Sequence, residues 1–546
     1  MNPADLALPP KFPAWRPIGS TRTQYDAIVA AACSDKRFTI LNAPTGIGKS
    51  AIYMGLSSLL GVRALVLTQT TFLQTQLMED FRAMGLAEIK GQHRYPCLYF
   101  DDGSRRRLPG CDEGPCHAGI ECVLREGGCT YYDAVRHAGR SRLVVTNQSY
   151  HMHIRRFSDP LALGQFGLLI LDEAHESADS LAEFVKIKLS SRKVEQLLEI
   201  AVPRGASINE WSEWAAEVAL PVCRARLESA RALTSLSHHG ISVLRYLKDI
   251  NRALTDLAAA WAWRRLDAPD PPAWVPGTST DWVIEEATDE VTFQPVWASG
   301  YSEEYLFAKI PRIVLVSATV TPKDAQFLGI PRDDFDYHQY PSPFPRSIRP
   351  FFVIPTVKVS RKITEGETRI WLNRIDQIIE EEAINRRQKG IIHSISYEWA
   401  KLIYARSRFR DIIEIHDKRS VRDAIKVFRD AKPPRVLLSP AVSTGWDFPM
   451  DQARFQIIAK LPFIDSRPEI IRARIRSDKH YSDYVTMVTL IQMAGRGVRS
   501  SDDFCRTYLI DDNWSSWFYP RNKKLVPRWF QSAVRRVRSL EEALQR

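Results

Sequence analysis

The chain has 546 residues, of which 45% are hydrophobic and 25% charged, and its 75 Lys and Arg against 64 Asp and Glu give a formal net charge of +11. That length is too great for one core and suggests three or four domains of about 150 residues each. The composition is that of an ordinary soluble globular protein. The basic excess favours a polyanionic partner, nucleic acid or a membrane surface.

No run of 18 apolar residues appears, so no membrane span is expected. Met1 to Pro10 lacks a basic segment followed by an apolar one, so no secretory signal is expected either, and the chain reads as cytoplasmic. Of eight Cys, five fall between 97 and 129. Cys33, Cys223 and Cys505 lie alone in apolar or helical surroundings and read as small buried hydrophobes.

In chain order, Thr21-Arg22-Thr23-Gln24 precedes a short helical pattern. Gln24 is either placed to read an adenine edge with its amide donor and acceptor, or is a polar residue at a helix start; the residues alone leave both open. Phe38 to Leu41 reads as a strand, and Ala43-Pro44-Thr45-Gly46-Ile47-Gly48-Lys49-Ser50 runs from it into a helical pattern. Strand, glycine turn and helix are what a phosphate-binding P-loop requires. The turn N–H groups and helix dipole would hold a β-phosphate, with Lys49 on the β- and γ-phosphates and Ser50 on Mg²⁺. Ala43 stands where the usual first glycine would be.

Arg63 to Thr70 is an apolar strand ending in hydroxyls, and 72 to 81 has helical apolar spacing. Cys97, Cys111, Cys116, Cys122 and Cys129 follow at spacings of 13, 4, 5 and 6 intervening residues. Only one gap fits a zinc knuckle, and loosely spaced thiolates suit a [4Fe–4S] cluster at least as well. Ser141 to Asn147 is a further strand. Phe166 to Leu171 is another and runs into Asp172-Glu173-Ala174-His175. Two acids behind a buried strand suit a Walker B site, with Asp172 holding Mg²⁺ and Glu173 orienting and deprotonating the attacking water.

Residues 190 to 285 read as helical, with Leu244, Leu247, Ile250, Leu254 and Leu257 on one face. Trp211, Trp214, Trp261 and Trp263 there suit a core, with base stacking as the alternative. Asp267 to Pro272 reads as a linker. Ile313 to Thr319 is a strand ending in hydroxyls, and Pro341-Ser342-Pro343-Phe344-Pro345 a hinge. The strand–helix alternation then restarts. It passes Ser443-Thr444-Gly445-Trp446-Asp447 and ends at Gln492-Met493-Ala494-Gly495-Arg496-Gly497-Val498-Arg499. The tail carries Lys523, Lys524, Arg528, Arg535, Arg536 and Arg538, a solvated basic face or a phosphate contact.

Taken together in this order, A-P-T-G-I-G-K-S, L-V-L-T-Q-T, D-E-A-H, V-S-A-T, S-P-F-P, T-G-W-D, L-P-F and Q-M-A-G-R-G-V-R resemble a superfamily 2 helicase of the XPD/DinG type. K-G-Q-H-R-Y-P-C at 90–97 and C-T-Y-Y at 129–132 resemble the two ends of that family's cysteine insertion. The resemblance implies two RecA-like α/β motor domains. The first comprises 1–89, 139–189 and 286–345, interrupted by an iron–sulfur insertion at 90–138 and a helical arch at 190–285; the second is 346–546.

It further implies ATP-driven 5′→3′ movement on single-stranded and forked DNA, with RNA or an RNA–DNA hybrid as alternative strands, in a monomeric motor serving DNA repair. By matching position, Gln492, Arg496 and Arg499 would face the γ-phosphate, with Arg496 or Arg499 as arginine finger. Ser317 and Thr319 would couple hydrolysis to domain motion, and Gly445 and Asp447 would lie near nucleotide and DNA. The implied cluster ligands are Cys97, Cys116, Cys122 and Cys129, with Cys111 in place of Cys129 as the alternative set and zinc as the rival metal. The compact length resembles phage-borne or CRISPR-associated DinG-like forms.

Overall fold

Two seven-stranded sheets, both parallel throughout, carry the chain. The structure is a computed structural model that describes residues 17–18, 22–101, 103, 107–117, 119–157, 163–233, 238–265, 282–442, 446, 448–498, 500 and 502–545. The strands used below are β1 (Phe38–Asn42), β2 (Ala64–Thr68), β3 (Leu86–Glu88), β4 (Leu143–Asn147), β5 (Leu168–Asp172), β6 (Ile187–Leu189), β7 (Trp282–Glu286), β8 (Val291–Pro295), β9 (Ile313–Ser317) and β10 (Phe335–Gln339). They continue with β11 (Phe351–Val353), β12 (Lys389–His393), β13 (Ile413–Ile415), β14 (Arg435–Ser439), β15 (Phe455–Ile458), β16 (Arg506–Leu509) and β17 (Val534–Arg536).

The first sheet has the order β10-β1-β9-β5-β2-β4-β3 and the second β13-β14-β12-β15-β16-β11-β17. Every residue of β1, β2, β5 and β9 is buried, as expected of parallel strands covered by helices on both faces. This is the expected pair of RecA-like α/β domains. The non-consecutive order brings β1, β9 and β5 side by side, so the P-loop, Ser317 and Asp172 emerge from adjacent strands at one end of the sheet.

The cysteine segment forms a series of short 3-10 turns before the helix Thr130–Arg140. The 190–285 region is helical as expected, but it stands on an antiparallel sheet of order β6-β8-β7. The β7–β8 hairpin therefore spans the expected boundary at 285/286. Trp211 is fully buried there, edge-on to Trp214 and Phe293. The side chains of Trp261 and Trp263, and the Asp267 to Pro272 linker, lie outside the described residues.

One cysteine expectation is corrected. Cys223 and Cys505 are buried, but Cys33 is exposed. It is the last residue of the helix Gln24–Cys33, whose buried positions are Gln24, Ala27, Ile28 and Ala31, and so falls off that helix's inner face. Among the described residues no helix is long and apolar enough to cross a membrane.

Candidate nucleotide site and cysteine cluster

Gly46 and Gly48 take left-handed φ values of 83° and 80°, a conformation nearly free for glycine and costly for other residues. The turn is tied to the sheet by Ala43 N–H donating to Ser317 O at 2.8 Å. Gln24 is buried and braces it. Its Nε2 donates to Ile47 O at 2.8 Å, and a Cβ on Gly48 would stand 2.3 Å from that nitrogen. Gln24 Oε1 is buried with no hydrogen-bond partner among the described residues.

Lys49 Nζ donates to Glu173 Oε1 at 3.0 Å. Ser50 and Asp172 are bridged by a third side chain: the Tyr53 hydroxyl lies 3.2 Å from Ser50 Oγ and 3.4 Å from Asp172 Oδ2. Tyr53 is one turn along the same helix face as Ser50, a spacing visible in the sequence only once Asp172 is known to sit opposite. Burial, reinforced by the neighbouring Glu173 charge, pushes the Asp172 carboxyl up to about 6. Glu173 goes the other way. Burial would raise it, but the Lys49 ammonium, His175 and the hydrogen bonds from Lys49 and Ser317 hold it at about 2. Glu173 also has a left-handed backbone (φ 50°, ψ 45°), a strained state for a non-glycine residue that is common where function fixes geometry.

A chain of hydrogen bonds leads from Glu173 into the second motor domain. Ser317 Oγ donates to Glu173 Oε2 at 3.1 Å and accepts from His175 Nδ1 at 2.7 Å. Gln492 Nε2, from the helix Tyr481–Ala494 of the second domain, reaches His175 Nε2 at 3.4 Å and Thr319 Oγ1 at 3.1 Å. Arg496 donates to Trp446 O at 3.1 Å and Gln492 Oε1 at 3.2 Å, both on its own domain. Gly445, Asp447 and Arg499 lie outside the described residues. The structure thus brings together Gln24, Thr45, Gly46, Gly48, Lys49, Ser50, Asp172, Glu173 and Gln492, with Arg496 one contact behind.

Phe344, inside the S-P-F-P motif of the hinge, makes a contact that the motif does not announce. A Cβ on Gly46 would meet its ring at 2.1 Å, and the ring also packs on Val498 and Cys505. The hinge therefore touches the P-loop and the Gln492–Arg499 segment at once. No local pattern announces such a contact, because the two segments are about 300 residues apart in sequence.

The five clustered cysteines are all reduced. Cys97, Cys111 and Cys129 share one buried core with Tyr95 and Tyr131. The Cys111 thiol donates to Pro96 O at 3.4 Å, and the neighbouring Cys97 and Cys111 thiols pull Cys97 down to about 7 and push Cys111 up. Cys116 is close enough to Cys122, Cys97 and Cys129 for their charges, after burial, to raise it. Gly114 leaves room for Cys97, since a Cβ there would stand 2.8 Å from its sulfur. In this arrangement no group of three or more His, Cys, Asp or Glu among the described residues has metal-holding geometry. The donor chemistry nonetheless suits a soft, thiolate-bound metal: five free thiols close in sequence and no disulfide.

Two family models match, one on each motor domain. The type III restriction enzyme res subunit model matches residues 20–201, and the helicase C-terminal domain model matches 385–533. The second of these is a helicase domain by its own description, and it falls on the second motor domain. The fold agrees: a solved XPD helicase superposes with a TM-score of 0.59 at 15% identity over 94% of this chain and 99% of its own. Xpd4 of S. tokodaii gives 0.55 at 14% identity over the same shares, and an XPD apo structure gives 0.54 at 14%. No curated protein matches the sequence. A helicase of this kind is ATP-dependent, uses Mg²⁺ and binds nucleic acid.

Proposed function

We propose that the chain is an ATP-dependent DNA helicase that translocates 5′→3′ on single-stranded DNA and opens forked duplexes. The observation that carries this reading is the unbroken path Lys49–Glu173–Ser317–His175–Gln492, which links the P-loop of one motor domain to a helix of the other. Lys49 is paired with Glu173. A γ-phosphate draws Lys49 away, and Glu173 loses the charge that keeps it a weak base. It is then free to orient a water molecule and take its proton. The loss also reaches Ser317 and His175, so Gln492 and the domain carrying it feel occupancy of the site. Arg496 turns from Trp446 O toward the transferring phosphoryl group, where its fixed cationic fork suits charge spread over several oxygens.

Ser50 and Asp172, already aligned by Tyr53, would hold Mg²⁺, which offsets charge on the β- and γ-oxygens. Cys97, Cys116, Cys122 and Cys129, with Cys111 as the alternative to Cys129, would hold a [4Fe–4S] cluster that cross-links the 90–138 insertion. A strand tracked by phosphate contacts is bound without sequence preference. The test is strand separation by anaerobically purified protein on forks carrying one single-stranded tail. Opening of 5′-tailed forks alone supports the proposal. Opening of 3′-tailed forks overturns the polarity, and hydrolysis without opening of either favours a translocase active only within a larger complex.

A further inference from the structure

The chain segment that delivers Ser317 runs on into a second contact between the motor domains. Past β9, Thr319 accepts from Gln492, and Thr321 caps the short helix Pro322–Phe327. Thr321 N–H donates to Asp324 Oδ2 at 2.7 Å, an ordinary use of an acid at that place in a helix. The same oxygen also accepts from the Tyr484 hydroxyl of the second domain, at 2.5 Å. Thr321 Oγ1 donates to that hydroxyl at 3.2 Å. Asp324 is 2% exposed and Tyr484 4%, so the contact is shut off from bulk water. Among the described residues the Tyr484 hydroxyl bonds only to these first-domain groups.

Tyr484 stands about two turns ahead of Gln492 on the helix Tyr481–Ala494. Tyr481, Tyr484, Val488 and Gln492 line one cavity of about 160 Å³ at the seam, so they share a face of that helix. Phe327 packs edge-on against both Tyr481 and Tyr484, with ring centres 5.7 Å apart in each case. Lys323 Nζ pairs with Asp478 Oδ2 at 2.5 Å, just before that helix begins. The first-domain helix thus grips the start of the second-domain helix whose end carries Gln492. Sliding one past the other would strand a buried hydroxyl and a buried carboxyl at their full desolvation cost. One register is therefore favoured. It is the register that places Gln492 Nε2 on Thr319 Oγ1 and 3.4 Å from His175 Nε2.

We propose that Tyr484 and Asp324 are positioning residues of the motor, setting Gln492 so that it reads the state of Glu173 through His175 and Ser317. Neither side chain hydrogen-bonds to Lys49, Ser50, Asp172 or Glu173 among the described residues, so the pair acts through Gln492. It serves as a fulcrum. With Tyr484 held on Asp324, a change at Gln492 turns the second domain about this contact instead of being absorbed by one side chain. This deepens the ATP-driven reading above and rests on it.

The distance between dyes placed one on each domain of the full chain, with and without a magnesium-bound imido analogue of ATP, tests this without turnover. In the wild type the analogue should draw the domains together. Tyr484→Phe keeps the ring against Phe327 and loses only the hydroxyl. Its closure equilibrium at saturating analogue should fall about tenfold, the scale of one buried hydrogen bond. Affinity for the analogue should fall by no more than closure does, because the two are linked. In a Gln492→Ala background Tyr484→Phe should cause no further loss, since a residue that acts through Gln492 then has nothing to position. Asp324→Asn should show the same dependence on Gln492, and decides the matter where Tyr484→Phe does not fold. Four results overturn the assignment: wild-type closure by Tyr484→Phe, losses that add in the double variant, an affinity loss exceeding the closure loss, or no closure by the wild type. Closure without hydrolysis in the wild type would fault the motor reading and leave the positioning role standing.

Discussion

Replacing Arg474 should unlatch the two motor domains on the side away from the hinge. Arg474 lies on the helix Glu469–Ser477 of the second domain and is only 5% exposed. Its Nε donates to Val296 O at 3.0 Å and its Nη1 to Asp179 Oδ1 at 2.8 Å, both on the first-domain side, and Nη1 also donates to Tyr481 OH at 2.9 Å. The guanidinium lies 5.4 Å from the Trp297 ring centre. A charge-assisted bond to a carbonyl is worth about 1.5–3 kcal/mol, and a partly desolvated cation–π contact about 1 kcal/mol. The Asp179 side chain is 67% exposed, so that pair adds about 0.5 kcal/mol.

Arg474→Ala should then weaken interdomain docking by about 3 kcal/mol, roughly a hundredfold in the docking equilibrium, while each domain keeps its own core. Thermal unfolding and the distance between dyes placed one on each domain read this directly. Expected are two separated unfolding transitions and a longer mean distance, with Arg474→Lys intermediate because it keeps charge and loses the fork. A single transition at the wild-type temperature with an unchanged distance would refute the latch.

Three further outcomes follow from the same geometry. Gly46→Ala places a Cβ in a left-handed position against Phe344, and should cost at least tenfold in nucleotide binding, about 1–2 kcal/mol from the backbone alone; part should return in Gly46→Ala/Phe344→Ala, and normal binding by the single variant would contradict the packing. Asp324 is held at about 6 by burial, above about 3.9 for an unfolded Asp. Between those values the folded chain keeps a proton the unfolded chain has lost, so stability should fall by about 3 kcal/mol as pH rises from about 3 to 7; denaturant titrations of Asp324→Asn should lack that component, and an identical pH slope would argue against it. In anaerobic preparations, Cys97→Ser, Cys116→Ser, Cys122→Ser and Cys129→Ser should each lose bound iron while Cys111→Ser retains it. The reverse result for Cys111 and Cys129 would select the alternative ligand set, and stoichiometric zinc would displace the cluster altogether.

The motor fold was legible because its chemistry sits at the ends of continuous apolar strands. Lys49, Ser50, Asp172 and Glu173 each follow such a run, so a local pattern carried a tertiary meaning. Thiols have few roles in bulk, so the density of Cys97 to Cys129 was equally telling. Gln24 was less readable. The same amide can meet a base or a backbone, and only packing against Gly48 places its nitrogen on Ile47 O. The contacts of Phe344 and Arg474 were illegible for a different reason. Each reaches residues far away in the sequence, and an aromatic or arginine in a loop or short helix has many ordinary uses. Cys33 was misread because a helix's last turn can point either way.

The most direct test of the account is ATP hydrolysis with and without single-stranded DNA, by the wild type and by Glu173→Gln. The account predicts DNA-stimulated hydrolysis by the wild type, and loss of turnover with retained MgATP binding in the variant, whose amide keeps the shape of Glu173 but cannot take a proton. Near-normal hydrolysis by Glu173→Gln, or no hydrolysis by iron-replete wild type in the presence of DNA, would contradict it.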